Sequence, residues 1–445
     1  MAKGSLKVQC FSENSYIPVN KARIIVTPTD VNGDATRDTV EIYTDSSGIA
    51  QVIDLDTPPI ENSYTPGLIP YSFVNITVQK DGYDTVVVKG IQIYPERIAF
   101  QRINFKEASE PSRQEIIINI PANVQVGNYP PKIPEAEEKP LPKPQGTVVL
   151  PEPVVPQYIR VHAGDPNDNS APNYTVPYNE YIENVASCEI YSTWPDSTIR
   201  ANIYAIISFT LNRIYTEWYR GQGKNFDITN STAYDQAFSY GRNIYENIAQ
   251  IVNEIFSTYI QRQNTKQPLL TQFCNGTTVT CNGLSQWGSK YLGDEGDTPY
   301  EILTYYYGDN INLVTAPKVI GIPESYPGYT LSLGASGSPV RTIQSQLNTI
   351  ANSFPLIPKL AVDGVYGSAT ENSVKIFQQI FSLPVTGVVD YATWYKISAI
   401  FVGVTKIAEL RYSSDFAMKV FVPPIVSDYE EEVPKVYYYI YKWVK

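Results

Sequence analysis

Gly283-Leu-Ser-Gln-Trp-Gly288, followed by Pro299-Tyr-Glu-Ile-Leu-Thr-Tyr-Tyr-Tyr307, is the most informative stretch of the chain. Small glycines on either side of Ser285, Gln286 and Trp287 let the backbone turn sharply. Two hydrogen-bonding side chains are then left beside an indole face. That combination suits a sugar, which has a polar edge and an apolar face. It also suits a glycine turn ahead of a core tryptophan, and for Trp287 the core is the favoured place. Ser285 and Gln286 are candidates for holding substrate. Tyr305 to Tyr307 read as a strand that sets one ring, Tyr305, in a groove.

Working outward, 445 residues exceed one ordinary core and point to about three domains. The net charge of −11 and the lack of a Lys/Arg cluster argue against a nucleic-acid partner. No apolar run is long enough for a membrane span, and Met1-Ala-Lys-Gly-Ser-Leu-Lys-Val8 shows no signal-peptide core. Tyrosine, at 35 against 15 Phe, supplies amphipathic rings, most of them as ordinary strand filler. Cys10, Cys188, Cys274 and Cys281 make no disulfide framework, although the last two are close enough in sequence to pair. The single histidine, His162, opens the loop-like run through Ser170. Zinc hydrolases usually need two His ligands and triads a His base, so neither chemistry is well provided for. No cofactor or metal is expected.

Residues 4–106 read as strands. Ser5–Cys10, Ala22–Val26, Val40–Tyr43 and Asn75–Gln79 alternate or are β-rich, with turn residues at Asp45–Gly48 and Asp81-Gly82. Eleven of the 34 prolines fall between Pro111 and Pro156, so residues 107–156 read as an extended, exposed linker in which Arg113–Ile120 could dock as an edge strand. Beyond Trp194-Pro195, the residues Ile199, Ile203, Ile206, Ile207, Leu211, Ile214 and Trp218 share a helical face, with Asp196 or Ser197 as its cap. Gly364-Val-Tyr-Gly-Ser-Ala-Thr370 repeats in type as Gly387-Val-Val-Asp-Tyr-Ala-Thr393, each a glycine turn into a helix, and Ser368–Glu371 reads as a capping box. Val340, Ile343, Leu347 and Ile350 line a further helix, which gives a compact three-helix bundle. The fold class is therefore multidomain. It comprises an N-terminal β-sandwich (1–106), a Pro-rich linker (107–156), a central α+β domain (157–320), a C-terminal three-helix bundle (331–397) and an unassigned tail (398–445).

Three resemblances add to this reading. Thr44–Gln51 with Val78–Tyr83 is similar to carboxypeptidase-regulatory or transthyretin-like modules, which implies a fold and no activity. The bundle resembles the peptidoglycan-binding domain of cell-wall hydrolases. Its pattern is carried by Gly334, Gly337 and Gln344, by Asp363, Gly364, Gly367 and Thr370, by Phe377 and Gln378, and by Gly387, Val388, Thr393 and Trp394. The central domain resembles the catalytic domain of stage II sporulation protein D and the amidase-enhancer LytB group. The likeness rests on Glu180-Tyr-Ile182, Glu189-Ile-Tyr-Ser-Thr-Trp-Pro195, Ser285–Gly288 and Glu301–Tyr307. The chain departs from that pattern at Ile207, where the family has Arg, and at Thr280-Cys281, where it has His. Phe273-Cys-Asn-Gly276 keeps only part of a Cys-Gly-Gly segment.

The order of these parts resembles that of the clostridial spore cortex-lytic enzyme precursors. The resemblance implies an inactive precursor in the spore cortex and outer spore layers. Its linker would be cut by a subtilisin-like germination protease, near Gly146–Pro153, to release a lytic transglycosylase acting on cortex peptidoglycan. Glu189 is the expected catalytic acid. Its chemistry needs a carboxyl kept protonated by an apolar surrounding, which Ile190, Tyr191 and Trp194 could supply. Trp194, Arg200, Asn202, Gln236, Ser285, Gln286 and Tyr305 are expected at the substrate. Asp363, Gly364, Gly367, Thr370, Phe377 and Gln378 are expected in the binding-domain motif, either as builders of the bundle or near its ligand groove. The alternatives are an N-acetylmuramoyl-L-alanine amidase and a non-catalytic wall-binding protein that recruits another lysin.

Overall fold

The computed structural model describes residues 2–13, 15–108, 114–133 and 152–406. It is a mixed α/β chain with several sheets. Among the described residues no helix is long and apolar enough to cross a membrane.

The first part is a two-sheet sandwich. Strands β1 (Ala2–Ser12), β4 (Ile53–Thr57) and β7 (Ile98–Phe105) form one sheet, with β1 at its centre. Strands β2 (Arg23–Thr29), β3 (Val40–Tyr43), β5 (Ser72–Gln79), β6 (Thr85–Ile93) and β8 (Glu115–Asn119) form the other, in the order β3-β2-β5-β6-β8. Along β5, Val74, Ile76 and Val78 alternate inward, as a half-buried strand requires. The expected edge strand within 113–120 is β8, which pairs parallel to β6.

Within 114–133 many residues are exposed, as the proline content suggested, but 123–125 are buried. Beyond β8 the chain runs as a strap along the central part, where Asn123 and Gln125 are buried. Apart from Glu152 and Pro153, the expected cleavage stretch 146–153 lies outside the described residues, as do residues 407–445 of the tail.

The central part contains α1 (Tyr178–Glu189), α2 (Asp196–Tyr215) and α3 (Glu246–Ile255), followed by α4 (Gln286–Asp294) and α5 (Pro299–Tyr307). Short ladders frame them: β10 (Tyr158–His162) with β11 (Asn173–Pro177) and β12 (Ile228–Thr229), and β14 (Thr258–Arg262) with β17 (Ile311–Thr315). Shorter pieces complete the frame: β9 (Val154–Val155) with β18 (Lys318–Val319), and β15 (Phe273–Cys274) with β16 (Leu284–Ser285). Strand β13 (Ile244–Tyr245) pairs with β7, so the central part adds a strand to the N-terminal sheet.

Helix α2 is buried nearly all round, as its apolar sequence indicated. It begins after Pro195 with no side-chain cap, so neither Asp196 nor Ser197 fills that role, and it ends before Trp218. Tyr305 to Tyr307 are helical and not a strand. Thr298 and Glu301 form a reciprocal cap with Pro299 in the first turn, and this starts α5.

Helices α6 (Ser338–Ile350), α7 (Ser368–Ile380) and α8 (Tyr391–Thr405) make the C-terminal bundle, and α8 takes in the first residues of the tail. The repeat has a physical basis in two buried glutamines. The Oε1 of Gln344 accepts from Gly364 N, while its Nε2 donates to Asp363, to the Val365 carbonyl and to Thr370. In the same way Gln378 Oε1 accepts from Gly387 N, and its Nε2 donates to Thr386, to the Val388 carbonyl and to Thr393. Gly364 and Gly387 both carry positive φ, which suits the turn each glutamine staples. Asp363, Thr370 and Gln378 thus act in building the bundle, and Phe377 lies in its core. The capping box expected at Ser368–Glu371 does not form. Gly367 is the N-cap, and Glu371 pairs with Lys375.

Gln378→Ala strands the Thr386 and Gly387 amides together with neighbouring hydroxyls. Chemical denaturation of this variant is expected to show a loss of about 2–3 kcal/mol. A loss below about 0.5 kcal/mol would show that the staple is dispensable.

Candidate active site

Helix α1 is buried along most of its length and ends at Glu189, beyond which Ile190 is extended. Glu189 is 3 % exposed. The Ala237 amide donates to its Oε1 at 2.7 Å, and Gln286 Nε2 donates to its Oε2 at 3.0 Å. Burial holds its pKa above the ordinary glutamate value, and the Lys132 ammonium and the two N–H donors pull against that rise. The negative end of the α1 dipole adds to it.

Gln286 reaches Glu189 because Ser285 caps α4 through its Oγ, which accepts from Gly288 N at 3.0 Å. The flanking glycines serve close approach and not a sharp turn. A Cβ at Gly283 would sit 2.0 Å from the Gln272 carbonyl, and one at Gly288 would sit 2.0 Å from the Tyr306 hydroxyl. Trp287 lies in the core, edge-on to Trp194 at 5.1 Å. Cys274 and Cys281 are disulfide-bonded, and the Asn275 carbonyl between them accepts from the Trp287 amide.

Ala237 is held by the loop after β12. Asp235 anchors that loop: its Oδ1 accepts from Arg213, and its Oδ2 accepts from the Tyr219 hydroxyl and from the Thr229 amide and hydroxyl. The Asp235 carboxylate, also buried, thus has both oxygens engaged. Gln236 in the same loop donates to Thr210 Oγ1.

The strap bonds to both Glu189 and Gln286. Gln125 Nε2 donates both to the Glu189 carbonyl (2.6 Å) and to Gln286 Oε1 (2.7 Å). Asn123 donates to the carbonyls of Ser187 and Ile190, and the Val124 amide donates to that of Cys188. The end of α1 is thus capped by residues far upstream. Lys132 donates to the Asp235 carbonyl and the Ile133 amide to that of Ala233.

Several residues expected at the substrate are placed elsewhere. The Trp194 indole N–H donates to the Ser63 carbonyl of the N-terminal part. Arg200 is tied to Asp196 and Glu254 on the outer face of α2. Asn202 is buried against Thr198 and Ser289. Tyr305 is 71 % exposed beyond the packed face of α5, and the Ser285 hydroxyl is spent on its cap. His162 ends β10 and is buried, not part of an exposed loop. Its ring stacks on Phe226, and its nitrogens meet Asn173 and the Asp165 carbonyl. Sequence reading missed Gln125, Lys132, Asp235 and Ala237. Only Gln236, within Ala233-Tyr-Asp-Gln-Ala-Phe238, hinted at that loop, and nothing local marks Gln125.

Residues 336–397 match the family described as a putative peptidoglycan binding domain. No curated protein matches the chain. Among solved structures the chain is similar to the SleB N-terminal domain, at 28% identity over 17% of this chain and 99% of that one, with a TM-score of 0.16. It is also similar to catechol 1,2-dioxygenase from Pseudomonas arvilla C-1, at 13% identity over 25% of this chain and 55% of that one, with a TM-score of 0.19. A third similarity is to the minor pilin GBS52 of Streptococcus agalactiae, at 15% identity over 25% of this chain and 47% of that one, with a TM-score of 0.16.

Between the ordinary value of 4.5 and its raised folded value, Glu189 holds a proton in the folded protein that the unfolded chain has released. Its contribution to stability therefore falls as pH rises through that window and levels off above it. Glu189→Gln removes the slope, so the variant should gain stability relative to wild type as pH rises from 4.5. Urea denaturation at a series of pH values checks this, and a pH-independent difference would mean that the carboxyl ionises normally.

Proposed function

We propose that the chain is the latent precursor of a spore cortex peptidoglycan-lytic enzyme, a lytic transglycosylase with Glu189 as its single catalytic acid. The observation that carries this reading is the buried Glu189 carboxyl, with raised pKa, held by Gln286 and the Ala237 amide. The segment matching a peptidoglycan binding domain names the polymer.

In this reading the Glu189 carboxyl gives its proton to the oxygen between muramic acid and glucosamine, and the bond from that oxygen to the anomeric carbon breaks. The muramoyl C6 hydroxyl attacks the same carbon and returns its proton to Glu189. A 1,6-anhydro sugar forms without water. Such a reaction needs one carboxyl where an ordinary glycosidase needs two. The engagement of Asp235 with Arg213, Tyr219 and Thr229 agrees with a single-acid mechanism. Gln286 orients the carboxyl, and acid catalysis of this kind contributes about 10²–10⁴-fold.

In this reading the strap accounts for latency, because Gln125 bonds to the Glu189 carbonyl and to Gln286, and the Lys132 ammonium acts on the Glu189 carboxyl. Cleavage of the linker by a subtilisin-like germination protease would let it leave. The amidase alternative asks for a metal ligand or base from His162, whose ring nitrogens are already engaged.

Purified cortex sacculi digested with the linker-cleaved protein should release 1,6-anhydro muropeptides by mass spectrometry, and Glu189→Gln should lower that release by at least about 10²-fold. In the uncut protein, Asn123→Ala with Gln125→Ala should raise release above the wild-type background. Free lactyl groups would favour the amidase. Binding without soluble fragments, unchanged by Glu189→Gln, would favour a recruiter.

A further inference from the structure

The Lys132 ammonium has a seat separate from the two N–H donors that hold the Glu189 carboxyl. Its Nζ donates to the Asp235 carbonyl. It stands 5.0 Å from the centroid of the Phe273 ring and 5.4 Å from that of Phe209. Both rings are buried, and they come from different elements, β15 and α2. The Glu189 carboxyl is near enough to feel the ammonium's charge. A carbonyl, two ring faces and a carboxyl all attract a cation. The neighbouring Arg213, which also lies over Phe209, is paired with Asp235, so its charge is largely compensated.

The strap has other anchors. Asn123, Val124, Gln125 and Ile133 hold it through amides and carbonyls. The lysine is therefore an additional feature, and the Asp235 carbonyl, Phe209 and Phe273 of the central part contribute to the seat its head group fills.

We propose that this seat takes a primary ammonium group of the cell-wall polymer once the strap leaves, binding it beside Glu189 between Phe209, Phe273 and the Asp235 carbonyl. The inference rests on the reading of Glu189 and its partners as the glycan-cleaving site. A primary ammonium on such a polymer has two sources. One is an amino sugar lacking its N-acetyl group, and the other is the side-chain amine of a diamino acid in the stem peptide.

The full chain carrying Lys132→Ala, which lacks the side chain beyond Cβ, is titrated calorimetrically with n-propylammonium and with 1-propanol. Saturable binding of the ammonium, roughly tenfold or more tighter than the alcohol, is expected. It should be absent in wild type, where Lys132 fills the seat, and weakened when Phe273→Leu is added in a protein whose unfolding midpoint shows that it is folded. Equal binding of the two probes, or binding of neither, overturns the proposal. The source is read with the full chain carrying Asn123→Ala, Gln125→Ala and Lys132→Ala. Preference for a glucosamine tetramer over its N-acetylated form assigns the amino sugar, and preference for a lysyl tetrapeptide over its Nε-acetylated form assigns the peptide. Indifference to acetylation in both pairs overturns the proposal. These readouts are of binding, so an ammonium-selective seat in a protein that releases no anhydro product would count against the catalytic reading and not against the seat.

Discussion

A carboxyl at the buried end of a helix is the constraint around which the central part is arranged. An ionised Glu189 in such a place is costly unless donors meet it, and a neutral one is costly unless its polar atoms find hydrogen-bond partners. The structure supplies two donors from separate stretches, Ala237 N in a loop and Gln286 Nε2 at the start of α4, so both stretches must be fixed to within a hydrogen-bond length. Asp235 and its partners fix one. The Ser285 cap and the disulfide-closed turn at 274–281 fix the other.

The N-terminal part is joined to this arrangement at many points. Besides the β7–β13 pairing, Arg97 donates to the Ser192 carbonyl, Gln101 to that of Gly241 and Trp194 to that of Ser63. Arg102 pairs with Glu180 on α1, and Tyr94 packs against Tyr191 and Tyr245. Lys7 of β1 reaches Ser382 of the bundle, so the sandwich touches both other parts. The proline-rich run is covalently thin, but the surfaces it joins are extensively packed.

Periodicity made much of the fold legible. Alternation marked the sandwich strands, and the apolar content of 199–214 marked a buried helix. The glycine repeats marked the bundle, because each glycine is required by a turn that a glutamine staples. Local pattern failed where tertiary contacts decide. Three successive tyrosines resemble a strand until a capping box and Pro299 start a helix before them. Trp194, Arg200 and Asn202 have the chemistry of sugar contacts, yet each is taken by a partner that only the folded chain brings near. Gln125 lies 161 positions from Gln286, and no local signal could join them.

The strap's attachment has a consequence for what a cut in the linker would accomplish. While the chain is continuous, residues 121–133 are presented to Glu189, Gln286 and Asp235 at an effective concentration set by their tether. Severing the chain would turn that tethered plug into a separate ligand, still carried by a sandwich that shares a β-ladder with the body it covers. On the proposed reading, release would then depend on dissociation and on competition from the glycan, so hydrolysis of one peptide bond would act as a permission, and the polymer itself would complete the opening.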